Sequence, residues 1–473
     1  MSNKRGLRTL CGSRPWPAVV LLALGSGLHA QQAPSGGPAN LGPGEVSAPT
    51  GPVDTERFHV TYVRLGSNRS EGFLYEPKAP AGNARIAIIY SAPQVPAIAD
   101  IGFNPPVAEL ASRGYRVLYV RHIYLAGETP MPLDEAAETS RGISYLRTLP
   151  GVERVVLAGW GLSAMSTTLY ASVASNGPTA CQNPQVIIPC KAAEASGLAK
   201  PDGLILLDPG FAAGDKPFAV DPAYDGSTRS RIDLDEFAAA NGYDAATGTA
   251  RYSPEFRKRY FAAQSARNNK VVDDAMARLK LIDEGKGTSA GDEPMSVPGT
   301  TSAGSAAGLF KTDLSLLSHT KQPHTLLKAD GSQPMVILRS TRRANSGINA
   351  VGRTGQCCSY TLRRFVANDA IRTTKDFSMT EDDVTGVEWK SSNMSTPGAA
   401  EGVALPTMVV AMTCFMFVVP SEVIYDHLAA RDKTLVGVEG SGHLFTPCSP
   451  EFGDTKKRLF DYVDNWLAKP GRF

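Results

Sequence analysis

No stretch of this 473-residue chain is apolar for long enough to cross a bilayer comfortably. The two longest candidates, 17–28 and 408–419, fall short of the roughly 20 residues a spanning helix needs, and the second reads instead as a buried strand. An excess of one charge is missing too. Lys and Arg total 48 against 46 Asp and Glu, and no basic stripe offers itself to nucleic acid or to an anionic membrane surface. There are seven cysteines, but their spacing matches no common zinc-ligand pattern and no histidine falls in step with them. No internal repeat is visible, which leaves no ground for a repeat architecture.

What is present begins with an address. Lys4, Arg5, Arg8 and Arg14 precede a short apolar core, and Leu28-His29-Ala30 forms a small-residue cleavage site, so 1–30 reads as a secretory signal peptide. The Gly-, Pro-, Ala- and Ser-rich stretch 31–56 buries too little apolar surface to offset its ordering entropy and reads as a disordered linker. The mature protein is therefore expected to be secreted or periplasmic, with six cysteines in an oxidising compartment. Cys181 and Cys190 bracket a short loop they could close; Cys357 and Cys358 are adjacent and have no evident partner.

From residue 57 strands alternate with helices. Strands are expected at 58–65, 71–76, 86–90, 115–120, 155–158 and 203–208, and helices at 106–113, 135–148 and 163–175. The runs at 86–90 and 155–158 are continuously apolar, as strands covered on both faces are. Such alternation implies a mostly parallel sheet with ligands gathering beyond the carboxyl ends of its strands. After residue 210 the rhythm breaks. A long helix is expected over 253–284, a Gly-, Ser- and Thr-rich loop over 285–308, a hairpin at 325–328 and 335–340, and a helix over 360–371. The sheet pattern returns with 406–411 and 434–439, with helices at 421–430 and 454–467. This divides the chain into a core from 57 to 210, an insertion from 211 to 401, and a second part of the core from 402 to 473.

The densest chemistry lies in Val155-Val156-Leu157-Ala158-Gly159-Trp160-Gly161-Leu162-Ser163-Ala164-Met165. A strand, a corner of small residues and a helix make the shape of a nucleophile elbow, whose central residue sits on a strained turn above the sheet. The residues two before and two after it must be small, because strand and helix nearly touch there. If Gly159 opens the motif, Ser163 closes it and Gly161 fills the nucleophile slot. If Gly161 opens it, the slot holds Ser163 and bulky Met165 must close it. The steric rule favours the first register, in which the elbow is present and its serine is absent.

This layout resembles the α/β-hydrolase superfamily, over 57–209 and 402–473, on the strength of the elbow and of the ending Val438-Glu439-Gly440-Ser441-Gly442-His443. The resemblance implies an α/β-hydrolase fold, a mostly parallel sheet flanked by helices, with an inserted mixed α+β cap. It also implies that His443 is the catalytic base. The family's usual acid after the seventh strand is missing from Met412 to Pro420, and Asp208, at the end of the sixth, matches a known alternative position. A plainer role for Asp208 is to cap the turn Asp208-Pro209-Gly210. An oxyanion hole would draw on the N–H of Leu162 and on a donor after 86–90, where Pro93 has none to give and Gln94 or Ala92 must serve. Cys414 and Cys448 follow neighbouring strands in this layout and are expected to pair.

These residues suggest hydrolysis of a small-molecule ester or lactone without a cofactor or metal. His443 is the base, Asp208 its orienter, and either Ser163 or a water over Gly161 the attacking group. Two rivals stand beside it: an inactive binding protein that keeps the pocket, and a cofactor-free lyase using the same His–Asp pair. Substrate identity and oligomeric state are not encoded in any motif.

Overall fold

The computed structural model of the chain describes residues 58–66, 70–78, 83–91, 105–122, 131–289, 291–299, 308–344 and 360–473. The expected signal peptide, the linker, Gln94, Cys357 and Cys358 lie outside these residues. In chain order the principal elements are β1 (Phe58–Arg64), β2 (Ser70–Pro77), β3 (Ile86–Ser91), α1 (Pro105–Ser112), β4 (Arg116–His122), α2 (Ala136–Leu146), β5 (Arg154–Trp160), α3 (Ser163–Asn176) and β6 (Gly203–Leu207). Then come α4 (Pro254–Asp283), β7 (His319–Leu327), β8 (Met335–Arg339), α5 (Leu362–Asn368), β9 (Arg372–Met379), β10 (Val384–Glu388), β11 (Thr407–Met412), α6 (Val418–His427), β12 (Lys433–Val438) and α7 (Thr455–Leu467).

Ten strands form one mixed sheet in the order β1-β2-β4-β3-β5-β6-β11-β12-β7-β8. From β4 to β7 all neighbours run parallel, β2 is antiparallel to both β1 and β4, and the hairpin partner β8 closes the far edge. The period-two alternation of a strand divides the core between two faces. Ile86, Ile88 and Tyr90 of β3 join the apolar layer under α1 and α7, while Ala87 and Ile89 join the layer under α2, α3 and α6. Covered on both sides, β3, β5, β6 and β11 are buried almost end to end, which is why they read as unbroken apolar runs.

The hairpin forms where the sequence places it, but it belongs to the sheet. Thr325 to Leu327 pair in parallel with Val436 to Val438, so the segment from β7 to β8 extends the core rather than covering it. A buried carboxylate fixes that docking. Glu422 of α6 accepts N–H bonds from Lys321 (2.6 Å) and Gln322 (2.9 Å) and meets His324 Nε2 at 2.8 Å. The long helix is α4, started by Ser253, whose hydroxyl accepts from Phe256 N, with Pro254 in its first turn. Its first half buries Phe256, Tyr260 and Phe261 in the layer shared with the sheet. Its second half packs Val272, Leu279 and Ile282 on Leu362, Phe365 and Val366 of α5.

Two expectations are corrected in detail. The run 408–419 does not stay extended: β11 ends at Met412 and α6 begins at Val418, ahead of the expected start at 421. Pro420 falls in the first turn of α6, where its missing N–H costs nothing. The helix expected over 360–371 is shorter, Leu362–Asn368, begun by a Thr361 hydroxyl that accepts from Arg364 N.

Candidate active site

The elbow adopts the first register. Gly161 has a φ of +56°, the left-handed region that glycine enters without a Cβ penalty. A Cβ built on Gly161 would lie 3.0 Å from His443 Nε2 and 3.2 Å from its Cε1, so the slot faces the histidine. The flank must be small: a Cβ on Gly159 would meet Thr167 Oγ1 at 2.3 Å and Ser163 O at 2.7 Å. Ser163 is the closing residue. It is buried at the start of α3, where its carbonyl accepts from Thr167 Oγ1 (2.8 Å), and no hydrogen bond joins it to His443. Leu162 stands at the N-terminal end of α3, where first-turn N–H groups have no carbonyl of their own helix to bond. The partner donor expected at Gln94 lies outside the described residues.

Asp208 follows β6 with a φ of +48°, a left-handed conformation uncommon outside glycine. Its N–H donates to Val410 O (2.8 Å), and its Oδ1 accepts from Met412 N (3.0 Å), so the carboxylate is wedged between the ends of β6 and β11. The other oxygen, Oδ2, accepts from His443 Nδ1 at 2.6 Å. The side chain thus serves the histidine and β11. Asp208 is fully buried, and burial pushes its carboxyl above the usual range, against the bonds from His443 and Met412 that pull it back.

His443 sits in a loop tied on several sides. Gly440 N donates to Thr413 Oγ1 (2.8 Å), Cys414 N to Ser441 O (2.9 Å) and Cys448 N to Gly440 O (2.9 Å). Gly440 itself has a φ of +68° and lies against the Phe452 ring, which leaves no room for a side chain. The expected disulfides Cys414–Cys448 and Cys181–Cys190 are both formed. The first braces this loop against the chain leaving β11.

Three groups near His443 were not singled out from the sequence. Phe415 stacks on the imidazole at 4.5 Å and 24°, Trp160 lies at 4.9 Å and 33°, and Phe417 meets it edge-on at 5.8 Å and 79°. The Trp160 indole N–H also donates to the His443 carbonyl at 3.0 Å. The aromatic spacing Phe415-Met416-Phe417 carried the signal, but the run was read only for the acid it lacks. Behind Phe417 lies Asp215: a Cβ on Gly210 would meet the Phe417 ring at 2.8 Å and Asp215 Oδ2 at 3.2 Å. Burial pushes its carboxyl up to about 7, with Lys216 opposing. No three His, Cys, Asp or Glu side chains gather as a metal site among the described residues. Leu162 and Leu444, each next to a site residue, are 55% and 58% exposed and give the site an apolar rim.

No family model matches the chain, and none of the curated proteins compared with it matches either. Among solved structures it is similar to Est1E from Butyrivibrio proteoclasticus, at 10% identity over 86% of this chain and 97% of that one, with a TM-score of 0.35. It is also similar to carboxyl esterase 2 from the mycorrhizal fungus Tuber melanosporum, at 9% identity over 88% and 89%, TM-score 0.37. Esterase B from Lactobacillus Rhamnosis is similar at 12% identity over 87% of both chains, TM-score 0.36. Strand order, glycine elbow and histidine loop give this chain the architecture of an α/β-hydrolase fold.

Proposed function

We propose that the protein hydrolyses an ester or lactone with water as the direct nucleophile. The observation that carries the reading is the His443 imidazole, bonded through Nδ1 to buried Asp208 while Nε2 faces the glycine in the nucleophile slot. With Nδ1 holding its proton, Nε2 carries the lone pair, as a general base requires. A water hydrogen-bonded to Nε2 gives up a proton as its oxygen adds to the carbonyl carbon. The tetrahedral oxyanion is held by the N–H of Leu162 at the start of α3. His443 then returns the proton to the departing alkoxide, so ester and water become acid and alcohol. No acyl-enzyme forms, because neither Gly161 nor buried Ser163 presents a hydroxyl to the base.

The apolar rim of Leu162 and Leu444 and the rings around His443 suit an uncharged, apolar ester of small-molecule size. Export to the periplasm or medium fits the signal-like start, the two disulfides, and the lack of any described helix long and apolar enough to cross a membrane. A panel of chromogenic esters and lactones, run in ¹⁸O-labelled water with His443→Ala as control, tests the reading. Turnover that needs His443 and places one solvent oxygen in the acid product, without a burst or fluorophosphonate labelling, is the expected result. Product without solvent oxygen points instead to a lyase using the same pair, and no turnover on any substrate points to a binding protein.

A further inference from the structure

We propose that Trp160 and Phe415, assisted by Phe417, are positioning residues that hold the imidazole of His443 in place of the serine this elbow lacks. The inference rests on His443 being the base. In an elbow that carries a hydroxyl, the histidine is tethered at both nitrogens, by the acid and by the nucleophile. Among the described residues only Nδ1 is tethered, by the 2.6 Å bond to Asp208. Held by its Cβ–Cγ bond and one hydrogen bond, the ring can still rock by stretching and bending that hydrogen bond, and such rocking carries Nε2 away from Gly161.

The rings supply the missing constraint. Phe415 and Trp160 lie within 24° and 33° of the imidazole plane, with centroids 4.5 and 4.9 Å from it, and make no ring contact with each other. Phe417 closes an edge at 79°. Offset stacking and edge contacts of this kind are favourable beyond the area they bury. Both walls are themselves fixed. Trp160 immediately precedes Gly161, donates to the His443 carbonyl, and lies 5.7 Å from the Phe445 ring. Phe415 follows Cys414, which is bridged to Cys448 in the histidine's own loop, and its N–H donates to Met412 O at 3.0 Å. Slot, acid and walls thus come from the ends of β5, β6 and β11, three neighbouring strands of one sheet.

The test uses Trp160→Phe, Trp160→Leu and Phe415→Leu in the full chain, with Phe415→Met in reserve should the leucine variant fail to fold. Imidazole NMR reads the ring directly: the wild type should show a protected Nδ1 proton, and the leucine variants should lose it to exchange while thermal unfolding stays cooperative. On an ester found by the panel, kcat should fall roughly ten- to a hundredfold with KM little changed, because misplacing a base by a fraction of an ångström is costly. Trp160→Phe keeps the stack and should lose less than about tenfold. The decisive arm repeats Phe415→Leu in a Gly161→Ser background. A restored second tether should shrink the loss to less than about threefold, as a coupled pair requires. An unchanged Nδ1 signal in both leucine variants overturns the proposal. So does a loss carried by KM alone, which would make the rings substrate walls, and so does an equal loss in both backgrounds. If no ester is turned over, the NMR arm still decides, so failure of the hydrolytic reading and failure of the clamp are told apart.

Discussion

Gly161→Ser puts the site's geometry to the most direct test. The φ of +56° at this position costs a residue with a Cβ roughly 1–2 kcal/mol. The new Cβ at 3.0 Å from Nε2 and 3.2 Å from Cε1 is tighter than ordinary contact, so the ring must yield by a few tenths of an ångström. Together these predict a modest fall in Tm of about 2–4 °C, since a kcal/mol moves a domain of this size little. In return a hydroxyl one bond beyond Cβ falls within hydrogen-bond reach of Nε2, and Nδ1 is already held by Asp208. Hydroxyl, imidazole and carboxylate are then all present. Hydrolysis of an activated ester such as p-nitrophenyl acetate should rise at least about a hundredfold, with a burst of p-nitrophenol as an acyl-enzyme accumulates. A fluorophosphonate probe should label position 161, as peptide mapping by mass spectrometry can show. A folded Gly161→Ser variant with no burst and no label would mean that the slot does not sit where an attacking hydroxyl must be.

Ser163→Ala should leave turnover within about twofold, because Ser163 lies buried at the strand–helix contact; loss of activity by steady-state kinetics would restore the second register. His443→Ala should cost at least about a hundredfold in kcat/KM with the fold intact by circular dichroism. Asp208 must stay ionised to orient His443, and burial raises its carboxyl, so activity should fall on acidification while still above the ordinary carboxylate range; an acid limb within that range by pH–rate profile would contradict the burial argument. Asp215 makes a stability prediction of opposite slope. Its carboxyl is pushed from 3.8 to about 7, so as pH rises through that window the unfolded chain sheds the proton first and stability falls, levelling above it. Asp215→Asn should remove that loss, gaining on the order of 3 kcal/mol over wild type between about pH 4 and about pH 8, read from denaturant midpoints.

The two halves of the site were legible to different depths, and the reason is how local each signal is. The elbow could be read from small residues within a single turn, because the close approach of β5 and α3 acts on neighbours in sequence; the Cβ test at Gly159 is that same rule in coordinates. Buried strands such as β3 and β11 were legible because covering both faces removes the polar half of the alternation. Asp208 and His443 could each be placed at a strand end. Their meeting depends on β6, β11 and β12 standing side by side, which no local pattern encodes. The same limit hid the docking of β7 on β12: a hairpin announces its own turn, never the edge it will join. Phe415 and Phe417 failed for a further reason. Val418 and Val419 continue the apolar run, so the segment reads as strand, and only the fold turns it into the corner that walls His443. An elbow stripped of its serine leaves a motif that looks degenerate in sequence. In three dimensions His443 is still bonded to Asp208, still faces Gly161, and is flanked by rings that no motif search would include.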